Sequence, residues 1–203
     1  MKLLSPVSLD EVVAVWLGAE IDSGRFGATV RTLLKHAGRP AALLTTPDLT
    51  DERANAARLN LLRECRGFDQ PDTSIVTYLE GVPVRELTWW RVRIDATDVA
   101  RLHYINWDFW VEVTGGTRLA TMYAAAKLAE TNGPGALHAA LRDAFVAGAL
   151  VPEIILVDSG PDTRLVILEG HVGATAMATA GDDLKPRTAL LGRSKVVADQ
   201  WFY

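Results

Sequence analysis

Apolar residues recur at helical spacing along the first third of the chain. After Ser8, which is spaced as a capping box with a glutamate three residues on, five of them predict a helix over residues 9–22: Leu9, Val12, Val13, Trp16 and Leu17. The same spacing predicts a second helix over residues 26–34, which a glycine and a proline then terminate. A third helix is predicted over residues 51–67, with Thr50 as its cap.

The hydrophobic period changes to two after Leu87, which is typical of a half-buried strand. The predicted faces are Trp90, Val92 and Ile94 on one side, and Trp89, Arg91 and Arg93 on the other. A short helix is predicted over residues 97–105. A longer one opens at Gly115-Gly116-Thr117 and has four expected core positions: Leu119, Met122, Tyr123 and Ala126. Glycine and proline at 133–135 separate it from a helix over residues 136–147.

A hairpin is the next predicted element, with apolar strands at 150–157 and 164–168 around an Asp-Ser-Gly-Pro-Asp turn. A helix of small residues over 172–180 and a short strand over 187–191 follow. Turn-forming residues between 68 and 83 mark the predicted boundary. We therefore expect a helical N-terminal region over residues 1–82 and an α+β domain over residues 83–203, with a small mixed sheet.

Composition narrows the classes of function. The net charge of −4 and the absence of a basic run argue against binding to nucleic acid by phosphate neutralisation. Cys65 is the single cysteine, so neither an intrachain disulfide nor a cysteine-based metal site is expected. No secretory signal and no membrane-spanning stretch is recognisable, and we expect a soluble, cytoplasmic protein.

The segment from Arg164 to about Gly181, a strand, a Gly-His turn and a helix of small residues, is the most informative in the chain. Within it, Glu169-Gly170-His171 and Ala174-Thr175-Ala176 match the frame of the ParB/sulfiredoxin-like superfamily, which the segment resembles. The resemblance extends from about Leu87 to Leu191, with Trp89–Ile94 as the first family strand and the helices before the hairpin as an insertion. It implies a ParB/sulfiredoxin-like fold for the domain.

The resemblance also implies a site for the phosphates of a nucleotide, such as a nucleoside triphosphate with Mg²⁺. Glycine before a helix brings backbone N–H groups and the positive end of the helix dipole to an anion. The residues implied are Glu169, Gly170, His171, Val172, Gly173 and Thr175. The family arginine is replaced by Gly173, and the place of the sulfiredoxin cysteine falls on His171, so catalysis is not expected to be retained. Arg118, Arg164 and Arg187 are the other arginines considered as sources of charge.

Two interpretations of the whole chain remain open. One is a nucleotide- or phosphate-binding domain; the other is a non-catalytic relative that engages a protein partner through its N-terminal helices and its tryptophans. The aromatic residues Trp89, Trp90, Trp107, Phe109 and Trp110 are either an internal anchor or an interaction surface. His171 is either a ligand contact or a turn histidine bonded to local backbone. Sequence-specific DNA binding is not expected, because no helix-turn-helix or basic arm is recognisable.

Overall fold

The computed structural model describes residues 1–66, 83–128, 134–149 and 151–203. It divides the chain into two compact units, Val7–Glu86 and a second unit made of Met1–Pro6 with Leu87–Tyr203. The predicted boundary segment at 68–83 and the predicted break at Gly133 lie outside the described residues, apart from Pro83. Residues 1–6, assigned above to the helical region, belong to the second unit because they form a strand of its sheet.

Helices make up the Val7–Glu86 unit within its described residues. They are α1 (Leu9–Glu20), α2 (Gly27–His36), α3 (Ala42–Thr45) and α4 (Glu52–Arg66), followed by a 3₁₀ turn at Val84–Glu86. The Ser8 hydroxyl oxygen accepts from the Glu11 N–H at 3.1 Å and caps α1 as expected. At α4 the cap is Asp51, whose carboxylate accepts from Arg53 and Ala54. Thr50, the predicted cap, instead donates to the Asp48 carboxylate from its amide and its hydroxyl.

The second unit is built on a six-stranded mixed sheet, which confirms the α+β class. Its strands are β1 (Lys2–Pro6), β2 (Thr88–Ile94), β3 (Leu102–His103), β4 (Ile155–Asp158), β5 (Leu165–Glu169) and β6 (Arg187–Arg193). Their order is β1-β2-β6-β4-β5-β3. The pairs β4–β6 and β3–β5 are parallel, and the other three are antiparallel. The predicted hairpin is β4–β5, and β6 returns beside β4 after one helix.

The remaining helices lie between and after the strands. They are α5 (Ala96–Val99), α6 (Asp108–Val113), α7 (Ala120–Leu128), α8 (Pro134–Ala147) and α9 (His171–Ala180), and a 3₁₀ segment follows at Lys195–Asp199. Buried side chains of the sheet, α8 and α9 form the core of this unit, including Val92, Phe145, Ile167 and Met177. In the parts of the chain that the structure describes, no helix has the length and apolarity to cross a bilayer.

Two predicted helices differ from the structure. The one over 97–105 is wrong beyond its first turn: α5 ends at Val99, and the fully buried Leu102 is in a strand because its backbone pairs with Leu165 of β5. The helix predicted from Thr117 begins at Ala120, because Arg118 has a left-handed φ of 59° that a right-handed helix does not accommodate. Its core face is also rotated, with Ala120 and Ala124 buried and Met122 51% exposed.

Candidate functional site

Gly170 forms the sharp turn between β5 and α9. Its φ of 89° and ψ of 31° are left-handed, a conformation that glycine adopts without strain. A Cβ atom at this position would lie 2.7 Å from Ile154 Cγ2, so the turn has no room for a side chain. The left-handed backbone and the lack of room for a Cβ atom both favour glycine here. The helix begins at the next residue, His171.

The first turn of α9 presents backbone donors to its surroundings. The first helical hydrogen bond runs from the Ala174 N–H to the Gly170 carbonyl at 2.8 Å. Among the residues that the structure describes, none accepts a hydrogen bond from the N–H of Val172 or Gly173. Val172 is 42% exposed. Because α9 has ten residues, its N-terminus carries the positive end of an established helix dipole beside these donors.

Gly173, the position of the family arginine, faces the packed side of α9. A Cβ atom there would lie 3.6 Å from Ile154 Cγ2 and 4.0 Å from the Phe145 ring. Both neighbours are buried core residues. The glycine therefore lets α9 approach Phe145 of α8, and a side chain at 173 would start toward the core rather than toward solvent.

The Thr175 side chain lies beneath the turn. It is 1% exposed, and its hydroxyl donates to the His171 carbonyl at 2.7 Å. The same oxygen lies 2.6 Å from the Tyr104 hydroxyl. The structure thus commits this hydroxyl to internal partners, whereas Glu169, Gly170, His171 and Gly173 are partly exposed and Val172 is exposed.

His171 belongs to an aromatic cluster that positions the start of α9. Its ring is nearly parallel to those of Trp110 and Tyr104, with centroid distances of 5.3 Å and 5.9 Å, and the Tyr104 and Trp110 rings stack at 3.8 Å. If the indole separated the other two rings, their centroids would be about 7 Å apart, twice the contact distance. The indole therefore does not lie between the Tyr104 and His171 rings.

Exposed aromatic rings continue this cluster outward. Phe109 contacts Trp110 edge-on at 4.9 Å, and Trp107 lies 6.1 Å from Phe109. Trp107 and Phe109 are each 43% exposed. Tyr123 closes the inner side, edge-on to Trp110 at 5.4 Å. Sequence reasoning missed both Tyr104 and Tyr123 as site residues, because Tyr104 falls in the wrongly predicted part of a helix and Tyr123 was assigned to the core.

The three arginines that the sequence offered as sources of positive charge for the turn form hydrogen bonds elsewhere. Arg187 donates to the Ala149 and Phe145 carbonyls at 2.8 Å and 3.0 Å and so caps the end of α8. Arg118 and Arg164 both donate to a main-chain oxygen of Tyr203. Within the described parts of the chain, no three His, Cys, Asp or Glu side chains are grouped as a metal site requires.

The site is therefore a helix N-terminus with two backbone donors, set beside a stack of rings that reaches the surface. It is suited to holding an anion. Comparison with known proteins gives no match to a family model, to a curated protein or to a solved structure.

Proposed function

We propose that the sheet unit is a divergent ParB/sulfiredoxin-like domain that binds a nucleotide or another phosphate-bearing ligand at the turn before α9, without turnover. The observation that carries this proposal is the pair of N–H groups at Val172 and Gly173, which no described residue engages at the exposed start of a ten-residue helix. The order of hairpin, Gly-His turn, helix and returning strand is the order that the sequence resemblance implies.

The surroundings of the turn support binding without catalysis. Phosphate-handling sites commonly add a guanidinium that contacts the phosphate in two places, and Gly173 offers none. Arg118, Arg164 and Arg187 are bonded to main-chain oxygens away from the turn. Magnesium would therefore arrive with a nucleoside triphosphate, held by its phosphates. We expect modest affinity, set by two backbone donors and the helix dipole.

Because of the exposed rings, we propose a nucleotide rather than inorganic phosphate as the ligand. Contacts lead from His171 through Trp110 to Phe109, whose exposed ring is suited to stacking on a base. A cytoplasmic location forms part of the same proposal, since nucleotides are abundant there and the single cysteine, Cys65, is compatible with a reducing compartment.

Calorimetric titration with ATP, CTP and pyrophosphate tests the proposal. The matched variants are Val172→Glu and Val172→Gln, which place a charged and a neutral side chain of similar size beside the donors. We expect Val172→Glu to weaken binding at least about tenfold through charge repulsion, while Val172→Gln binds as the parent does. Absence of saturable heat with all three ligands, or equal binding by the two variants, would refute the phosphate site.

Exposed aromatic residues favour a second candidate function, docking of a protein partner. Trp107 and Phe109 are each 43% exposed, and Met122 of α7 is 51% exposed. Aromatic residues and methionine are enriched at protein interfaces. Affinity capture would compare the parent with Phe109→Ser and with Leu49→Ser, a control at a similarly exposed residue of the other unit. A partner lost only with Phe109→Ser supports this candidate, and a partner retained by both variants argues against it.

A further inference from the structure

The helical unit has an open groove of about 440 Å³ along one side of α4. Six residues of α4 line it, at spacings of three and four: Arg53, Ala56, Ala57, Asn60, Leu61 and Glu64. Because residues three and four apart share one side of a helix, these positions form a single face about 16 Å long. Leu61, together with Leu34 of α2, is buried at the floor of the groove. The two alanines leave room for the backbone of a partner to approach closely.

The opposite face of α4 is fixed to the chain that precedes it. Arg58 is 1% exposed and donates to the Leu43 and Asp48 carbonyls at 3.1 Å and 2.8 Å. Asn55, also buried, donates to the Leu49 carbonyl at 2.8 Å. Both residues point away from the groove, because they lie about half a helical turn from its face. The groove face is therefore held in one orientation, which lowers the entropic cost of binding a partner.

The groove face of α4 carries opposite charges at its two ends. Arg53 lies at the end nearer the start of the helix and Glu64 at the other, and both residues are exposed. Neither side chain forms a hydrogen bond or an ion pair with another residue that the structure describes. A partner that matches this face must therefore place an acidic group beside Arg53 and a basic group beside Glu64, with small and apolar groups between them.

A second copy of α4 meets this requirement when it lies antiparallel to the first. A two-fold axis between positions 58 and 59 brings three pairs of residues opposite each other: Arg53 and Glu64, Ala56 and Leu61, Ala57 and Asn60. Each pair occurs twice, once on either side of the axis, as a two-fold symmetric interface requires. The face is thus complementary to itself in charge, and each of its alanines lies opposite a larger side chain.

We propose that the groove face of α4 is a self-association surface, through which two copies of this chain form a two-fold symmetric dimer with their α4 helices antiparallel. The ion pairs between Arg53 and Glu64 of the second copy set the register of the two helices. One helix face is small for a protein interface, so the dimer is weak and forms as concentration rises. The surface lies in the helical unit and is independent of the phosphate site at α9.

Sedimentation equilibrium of the full chain, up to about 1 mM, measures the dimer directly. We expect Arg53→Glu and Glu64→Arg each to raise the dissociation constant at least about tenfold, because each sets like charges opposite one another at both ends of the interface. Both variants should fold, since an acidic residue near the start of a helix and a basic one near its end suit the helix dipole. A parent protein that stays monomeric throughout would overturn the proposal.

Mixing the two variants separates this interface from any other dimer. One copy with Arg53→Glu and one with Glu64→Arg again have opposite charges at both ends, so we expect the mixture to associate as the parent does. Lys35→Glu is the control, because it makes the same change in net charge as Arg53→Glu at an exposed residue of α2 outside the groove. It is expected to leave the dimer unchanged. A mixture that stays monomeric, or a parent dimer that Lys35→Glu weakens as much as Arg53→Glu does, contradicts the assignment.

Discussion

Tyr104 donates a hydrogen bond of 2.6 Å to the hydroxyl of Thr175, directly beneath the turn that opens α9. The direction follows from the second bond of Thr175, because its single hydroxyl proton is given to the His171 carbonyl, which can only accept. Burial raises the pKa of Tyr104 above its ordinary value, which favours the protonated hydroxyl that donates this bond. The pair fixes the main chain of His171 and thereby the direction of the donors that follow it.

Replacing Thr175 with valine is expected to destabilise the protein by about 1–3 kcal/mol, because the buried Tyr104 hydroxyl then loses its acceptor. Thr175→Ser keeps the hydroxyl and is expected to cost less. The measurement is the free energy of unfolding in denaturant, with Tyr104→Phe added to complete a double-mutant cycle. A stable Thr175→Val variant that had lost phosphate binding would instead indicate that Thr175 contacts the ligand.

Gly170→Ala is expected to destabilise the protein more than Gly116→Ala. The two glycines have nearly the same φ, 89° and 86°, but only a Cβ at Gly170 would meet a neighbour, Ile154. The backbone strain common to both should cost about 1 kcal/mol, and the clash should add about 1–3 kcal/mol at Gly170. Equal losses of unfolding free energy in the two variants would mean that the turn at Gly170 is less tightly packed than described.

Asp158→Asn is expected to weaken the sheet where β4 pairs with β6. The Asp158 carboxylate accepts from Arg193 Nε and Nη2 at 2.7 Å and 2.6 Å, and Asp158 is 2% exposed. The loss should be about 2–3 kcal/mol, below that of a fully buried pair, because the Arg193 side chain is 23% exposed. Asp143→Asn, which breaks an exposed pair with Arg142, should cost under about 0.5 kcal/mol. Similar losses in both variants would contradict this difference.

Stability should fall on acidification through His103. Burial, and then the charges of Arg164, Arg118 and Arg101, lower its pKa from the ordinary 6.5. The hydrogen bond from its Nδ1–H to the Arg101 carbonyl, at 2.8 Å, raises the pKa and offsets part of this effect. The unfolded chain therefore binds a proton that the folded chain does not, and stability is lost as pH falls below about 6.5. His103→Gln should reduce the loss between pH 7.5 and 5.5. An NMR titration that gave His103 an ordinary or raised pKa would disprove this.

Prediction from sequence succeeded where local patterns decide the structure. The β4–β5 hairpin, α8, α9 and β6 carry their own turn residues and apolar runs, so neighbouring residues define them. Strand β1 has five exposed residues and no alternating pattern, and β3 has two residues; both exist only because another strand pairs with them.

The candidate site was likewise predictable from the sequence only where local patterns decide the structure. The Gly170 turn was predictable because glycine and a following helix are local signals. The stack of Tyr104, Trp110 and His171 joins residues up to 67 positions apart, so no spacing of residues along the sequence predicts it. The role of Gly173 could not be predicted either. In the sequence, a glycine that replaces an arginine looks the same as a glycine that packs closely against Ile154 and Phe145.

The central claim is that the N–H groups of Val172 and Gly173 receive a phosphate. Amide chemical shifts of the ¹⁵N-labelled protein, followed during titration with pyrophosphate and then CTP, test it most directly. We predict saturable shifts that are largest at Val172 and Gly173, with ring-current changes at Phe109 for CTP alone. Unchanged resonances at these two amides, with pyrophosphate in large excess, would contradict the proposed site.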